Sequence, residues 1–170
     1  GGWYITPDRA KVVGQSDPVY SDPPVLVSKK PVSKIEDLKG KTIGTTQGYL
    51  WVSDLQKYAG DNAKLFESPD AVFADLVNGR IDAGLMAVNE ASYRMRKQPD
   101  SGLKSEIMEP SPAIDASQRP PVTNFPFKKG NTKLGEALNK QIANLRDSGK
   151  LAKILKQHGI DASAANPKSG

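Results

Sequence analysis

IEDLKGKTIGTTQGYLW, residues 35–51, reads as a short helical turn, a buried strand, a glycine turn and the start of a new helix. Ile35 and Leu38 are the apolar anchors of the first turn, Ser33 with Glu36 three residues on fits a capping box, and Gly40 stands where a helix stops. Thr42 to Thr46, after Lys41, has the length and β-branched content of a strand. Gly48 permits a sharp turn, and the helix that follows offers free N–H groups near Tyr49 and Leu50, a site of positive potential for an anion. Such a corner holds ligands. Gly40-Lys41-Thr42 looks like the end of a phosphate-binding loop, but GxxxxGK[ST] requires a glycine where Ile35 stands, and the strand must precede that motif rather than follow it.

Downstream, strand and helix alternate. Val52, Leu55 and Tyr58 continue a helix to Gly60, and Ala63 to Phe66 is a strand. Ser68-Pro69-Asp70 supplies an N-cap, a proline at the first helical position and an early acid. Val72, Phe73, Leu76 and Val77 make the buried stripe of that helix, which ends at Gly79 before a strand at Ile81 to Met86. The alternation predicts βαβ units and a parallel sheet. Asn89 to Arg96 follows as a helix, Leu103 to Met108 as a strand, and Val122 to Lys128, around Pro126, as an edge or connecting strand. Leu134, Leu138, Ile142 and Leu145 mark a long amphipathic helix stopped at Gly149, and Leu151, Ile154 and Leu155 one more. Upstream, Val25-Leu26-Val27 is a strand, and Thr6 caps a short helix with Pro7 at its first position. Ser163 to Gly170 is small and polar, and reads as a loose tail.

Composition bounds the function. With 170 residues, 37% hydrophobic and 25% charged, the chain is long enough for one core or two small ones. No run approaches the roughly 18 apolar residues of a membrane span, and no stretch reads as a signal peptide. The absence of cysteine excludes disulfides and thiolate metal sites, and fits a cytosolic or a periplasmic home alike. No metal site and no cofactor is expected. His158 is the only histidine, so a Ser-His-Asp triad would have to run through it. Its place beside Gly159 fits the simpler role of a positive side chain at a helix C-terminus. The net charge of +5 comes from Lys and Arg interleaved with nineteen acids, which describes a solvated surface rather than a nucleic-acid face.

Four strings in order, GGWYITPDRAKVV, KIEDLKGKTIGTTQG, DLVNGRIDAGL and FKKGNTKLGEALNKQIANLRDSGKLAKILKQHG, resemble the periplasmic amino-acid-binding proteins of ABC transporters over nearly the whole chain. The resemblance implies an α/β, bilobal type II periplasmic-binding-protein fold, each lobe a mixed or parallel sheet flanked by helices, with ligand in the interlobe cleft and hinge closure. In that family the ITxxR segment lies well inside lobe one. Residues 1–21 are therefore expected to be part of an incomplete lobe one, 22–122 lobe two, 123–162 the returning part of lobe one and 163–170 the tail. About 65 to 90 further lobe-one residues are expected elsewhere in the molecule.

Site residues follow by the same resemblance. Arg9 matches the arginine that grips the ligand carboxylate, a role its guanidinium fork suits; by composition alone a surface or helix-capping arginine is the stronger reading. Gly1, Gly2 and Tyr4 match positions lining the same wall, and Gln47, Gly48, Tyr49 and Leu50 match the turn that touches the carboxylate from the other lobe, with Leu50 standing where a hydroxyl is usual. Ala87 stands where the family often has an aspartate for the α-ammonium group. Aromatic faces at Trp3, Tyr4, Tyr49 and Trp51, through cation–π attraction, or acids in the missing segment are the alternative receivers, although Trp51 at helical spacing with Leu55 also reads as core. A third departure is Gly14-Gln15 where Asp-Phe is common.

The expectation is thus a periplasmic solute-binding protein for a small carboxylate-bearing zwitterion, an amino acid or an ω-amino acid such as γ-aminobutyrate, serving ABC transporter membrane subunits. Two rivals stand beside it: a cyclohexadienyl-dehydratase-like enzyme, for which Glu90 is the nearest acid, and an engineered or sensory use of the domain, in which closure reports to a fused reporter or receptor; a missing N-terminal segment or a fused reporter domain is the further partner expected.

Overall fold

The computed structural model describes residues 3–167. In chain order these form β1 (Trp3–Tyr4), α1 (Pro7–Val12), β2 (Val13–Gln15), β3 (Pro24–Ser28), a 3-10 turn (Ile35–Leu38), β4 (Ile43–Thr46), α2 (Val52–Ala59) and β5 (Ala63–Phe66). Then come α3 (Pro69–Val77), β6 (Ala83–Ala87), α4 (Val88–Lys97), β7 (Lys104–Ile107), α5 (Asp115–Gln118), β8 (Thr123–Asn124), β9 (Pro126–Lys128), α6 (Thr132–Asp147) and α7 (Lys150–Gln157). The chain divides into two compact units, Pro23–Pro120 and Gly1–Asp22 with Pro121–Gly170.

Unit Pro23–Pro120 is built on one five-stranded sheet in the order β5-β4-β6-β3-β7. β4 runs parallel to β5 and β6, as the alternation of strand and helix requires, whereas β3 is antiparallel to β6 and β7. The sheet is therefore mixed rather than parallel: β4, β5, β6 and β7, joined in turn by α2, α3 and α4, run one way, and β3 alone runs the other. Every residue of β3, β4 and β6 is buried, the pattern of strands covered on both faces. Leu26, Ile35, Ile43, Trp51, Leu55, Leu85 and Ile114 form the centre of this core. Ser68 accepts a hydrogen bond from the Ala71 N–H at 3.3 Å, with Pro69 in the first turn, and α3 buries Val72, Phe73 and Leu76. Gly84 lets that helix approach: a Cβ there would lie 2.9 Å from Leu76 Cδ1.

The capping box expected at Ser33 and Glu36 does not form, and the turn is 3-10 with Lys34 as an N-cap that makes no side-chain bond. Both side chains take distant partners instead: the Ser33 hydroxyl donates to Glu109 at 2.7 Å, and Glu36 accepts from the Ser111 hydroxyl at 2.5 Å. The helix after Gly48 also starts later than expected, at Val52 with Trp51 as N-cap, so Tyr49 and Leu50 are turn residues and not a helix N-terminus.

The other unit has short ladders only. β1 pairs antiparallel with β8, and β2 with β9. Gly14 faces Phe127 across the second ladder, and the Phe127 ring occupies the space where a Cβ of residue 14 would go, which accounts for the glycine there. α6, capped by Asn131, and α7 bury Ile142, Leu151 and Leu155. Residues 168–170 of the expected tail lie outside the described residues, whereas its start is not loose: Ala162–Ala165 forms a 3-10 turn, Asp161 accepts from the Ser163 N–H at 2.8 Å, and Ala165 is buried. Arg146 fastens it, donating to the Ala165 carbonyl at 2.9 Å and to the Pro18 carbonyl at 2.6 Å.

Candidate functional site

In unit Pro23–Pro120 the chain leaves β4 through α2 toward β5 on one side, and leaves β6 through α4 toward β7 on the other. Adjacent parallel strands whose connections diverge open a crevice at their carboxyl ends. The β4–β6 ladder pairs Ile43 with Ala83 and Gly44 with Gly84; beyond it, the Thr45 hydroxyl bridges to the Leu85 carbonyl at 2.8 Å. The same hydroxyl accepts from Trp51 Nε1 at 2.9 Å, and this fixes the turn Gln47–Leu50 over the end of β4. Gly48 has φ +76°, a left-handed conformation that favours glycine, and the Gln47 N–H donates to the Phe66 carbonyl at 2.9 Å.

Trp51 is fully buried, so it belongs to the core and is not an open face for a cation. Tyr49 packs edge-on against it, ring centroids 5.2 Å apart at 86°, and its hydroxyl donates to Glu90 Oε1. Ala87, nearly fully buried, is the N-cap of α4 and contributes only a methyl; the Val88 N–H donates to the Pro23 carbonyl at 3.2 Å. One turn after Glu90 on α4, Arg94 donates Nη1 to the Glu90 backbone carbonyl at 3.1 Å and sets Nε 2.9 Å from Asp70. Burial raises the Glu90 carboxyl above the usual carboxylate range despite the Tyr49 bond and the Arg94 charge, which pull it down. Burial first, and the bond to Glu90 second, push the Tyr49 phenol up as well. Gln47, Gly48 and Leu50 are exposed at the rim.

In the other unit, Thr6 accepts from the Arg9 N–H at 3.3 Å and Pro7 opens α1, so cap and proline set the helix on which Arg9 sits. Arg9 donates Nη1 to the Tyr4 carbonyl at 3.0 Å, and its guanidinium carbon lies 4.7 Å from the centroid of the Trp3 ring. Asp8, next to it, pairs with Lys11 at 2.7 Å. No carboxylate pairs with Arg9 among the described residues. The Tyr4 hydroxyl donates to Asp22 at 2.9 Å. Gly2, like Gly1, lies outside the described residues.

The fold thus gathers Trp3, Tyr4 and Arg9 in one unit and Gln47, Gly48, Tyr49, Leu50 and Ala87 in the other. Sequence reasoning missed the bond between Tyr49 and Glu90, having weighed Glu90 only as an enzymatic acid. The signal was its place three residues after Ala87, in the first turn of the helix leaving the crevice. No group of side chains able to hold a metal occurs among the described residues.

The chain is 28% identical over 160 residues to the lysine/arginine/ornithine-binding periplasmic protein of Escherichia coli K12, covering 91% of this chain and 61% of that protein. It is 30% identical to the ABC transporter arginine-binding protein 1 of the same organism, covering 92% and 63%. The crystal structure of the arginine-, lysine-, histidine-binding protein ArtJ of Geobacillus stearothermophilus matches with a TM-score of 0.69 at 27% identity, covering 92% of this chain and 66% of that one. The chain spans about six-tenths of the length of these E. coli relatives, and its fold is that of the type II periplasmic binding proteins. Residues 1–160 match the bacterial extracellular solute-binding proteins, family 3, and the chain belongs to that family.

Proposed function

We propose that the protein captures a free amino acid outside the cytoplasmic membrane and delivers it to the membrane subunits of an ABC transporter, with Arg9 holding the ligand carboxylate. The observation that carries this reading is the state of Arg9. One nitrogen is anchored to the Tyr4 carbonyl, the guanidinium lies over Trp3, and no carboxylate of the described residues pairs with it. A guanidinium held in this way is pre-organised, and a bidentate pair with a carboxylate is its best partner. The E. coli relatives are named for lysine, arginine and ornithine, which favours a basic amino acid here. No helix among the described residues is long and apolar enough to cross a membrane.

The methyl of Ala87 favours a second reading, an ω-amino acid such as γ-aminobutyrate, because no acid stands at that position for an α-ammonium group. Isothermal titration with arginine, lysine, histidine, glutamine and γ-aminobutyrate, on the wild type and on Arg9→Ala, tests both. Binding of at least one of them, weakened about 10- to 100-fold in Arg9→Ala, is expected. Preference for γ-aminobutyrate over every α-amino acid selects the second reading. No binding of any of the five, or an unchanged affinity in Arg9→Ala, overturns the role given to Arg9.

A further inference from the structure

Several carboxylates in unit Pro23–Pro120 have side-chain partners. Asp75 meets Arg80, Asp115 meets Arg119, Asp70 meets Arg94, Glu36 meets the Ser111 hydroxyl, and Glu109 meets Ser33 and Lys34. Glu90 is different. Its Oε1 accepts from Tyr49, but its Oε2 is withdrawn from solvent and has no hydrogen-bond donor among the described residues. The nearby cation does not supply one: Arg94 donates Nη1 to the Glu90 backbone carbonyl, and its Nε, 2.9 Å from Asp70, makes no hydrogen bond. A buried carboxylate oxygen without a donor is costly, and such an exception needs an explanation.

Its surroundings provide one. Glu90 stands in the first turn of α4, directly after β6, at the crevice where the connections from β4 and β6 diverge. Beside it is the ring of Tyr49, held edge-on to Trp51, which the Thr45 hydroxyl fixes in turn. A carboxylate oxygen with open valence next to a rigid aromatic ring is the chemistry that receives an ammonium or guanidinium group. We propose that Glu90 and Tyr49 form a cation-receiving subsite of the unit Pro23–Pro120, in which the side-chain guanidinium or ammonium group of an amino-acid ligand, not its α-ammonium group, takes the free Oε2 of Glu90. This rests on the reading of the protein as a carrier of amino acids.

Arginine and citrulline are the probes, because they share one shape and differ in a guanidinium against an uncharged urea. The wild type binds arginine more tightly than citrulline. Glu90→Gln, which can still accept from Tyr49, weakens arginine about 10- to 100-fold and leaves citrulline within about twofold. Tyr49→Leu weakens arginine about threefold to tenfold through loss of the ring, whereas Tyr49→Phe keeps the ring, frees Oε1 and leaves arginine as tight or tighter. Thermal unfolding of each variant reports the fold separately. A merely structural Glu90 would lower the affinity for both probes together, and that result, or an unchanged arginine affinity in Glu90→Gln, overturns the subsite while leaving amino-acid capture intact. A wild type that binds none of the five amino acids of the titration, nor citrulline, overturns the capture reading, and the subsite falls with it.

Discussion

Two helices of this chain begin with the same chemistry and end differently. Thr6-Pro7-Asp8 opens α1 and Ser68-Pro69-Asp70 opens α3; in both, the hydroxyl accepts from the third residue on at 3.3 Å, proline follows and an acid sits in the first turn. Yet α1 stops after six residues and buries none of them, while α3 runs for nine and buries Val72, Phe73 and Leu76. A cap decides where a helix starts; the apolar stripe decides whether it is anchored. The contrast extends to the units that hold them. Pro23–Pro120 carries 13 basic and 13 acidic residues around a five-stranded sheet, whereas the other unit carries 11 basic and 6 acidic residues, and thus all of the net charge of +5, on two-stranded ladders. Of the large hydrophobics that remain exposed, Trp3, Val12, Phe125, Leu134 and Ile154 belong to that second unit.

Truncating the anchored helix is the largest way to sharpen the comparison. Phe73→Ala, at a side chain 2% exposed, is expected to cost about 3–5 kcal/mol in urea unfolding, through lost burial and the cavity left against the sheet. Val12→Ala in α1, at a side chain 72% exposed, stays within about 0.5 kcal/mol. Equal effects from the two would mean that α1 is anchored by packing after all.

That difference also explains what could be read in advance. β3, β6 and α3 were legible because burial on both faces of a strand leaves a continuous apolar run, and because Ser68-Pro69 marks a helix start locally. Two-residue strands such as β1 and β8 have no alternation to read. The capping box failed because Ser33 and Glu36 are claimed by Glu109 and Ser111, 76 and 75 residues away, and no local window contains those competitors. At the candidate site, Arg9 and the turn Gln47–Leu50 were legible as motif positions, whereas the burial of Trp51 depends on the Thr45 hydroxyl and the Tyr49–Glu90 bond joins residues 41 apart. Those are tertiary facts.

Removing the caps has a smaller effect. Ser68→Ala and Thr6→Ala are each expected to cost about 1 kcal/mol or less. Their consequences diverge, because α3 keeps its buried stripe, while α1 has none and the N–H that Thr6 holds is that of Arg9 itself. Thr6→Ala should therefore weaken amino-acid binding severalfold with little change in the unfolding midpoint, and Ser68→Ala should shift the midpoint with little change in binding. The reverse assignment, read by titration and urea unfolding on the same samples, would break the comparison.

The smallest effect is one of sign. Burial raises the Glu90 carboxyl in the sheet-built unit above its ordinary 4.5, so between 4.5 and the raised value the folded state holds more protons than the unfolded one. Stability from this group is complete below pH 4.5 and falls as pH rises through the folded value. Asp161, in the other unit, is lowered from its ordinary 3.8 by its bonds from Ser163; its contribution is present above 3.8 and is lost as pH falls through the folded value. Urea midpoints measured against pH separate the two by difference from the wild type. Glu90→Gln should remove a decline above pH 4.5, and Asp161→Asn, which can still cap, should remove a loss below pH 3.8. A wild type that gains stability from Glu90 as pH rises would mean that a cation already neutralises that carboxylate in the folded protein, and the two units would then respond to acid alike.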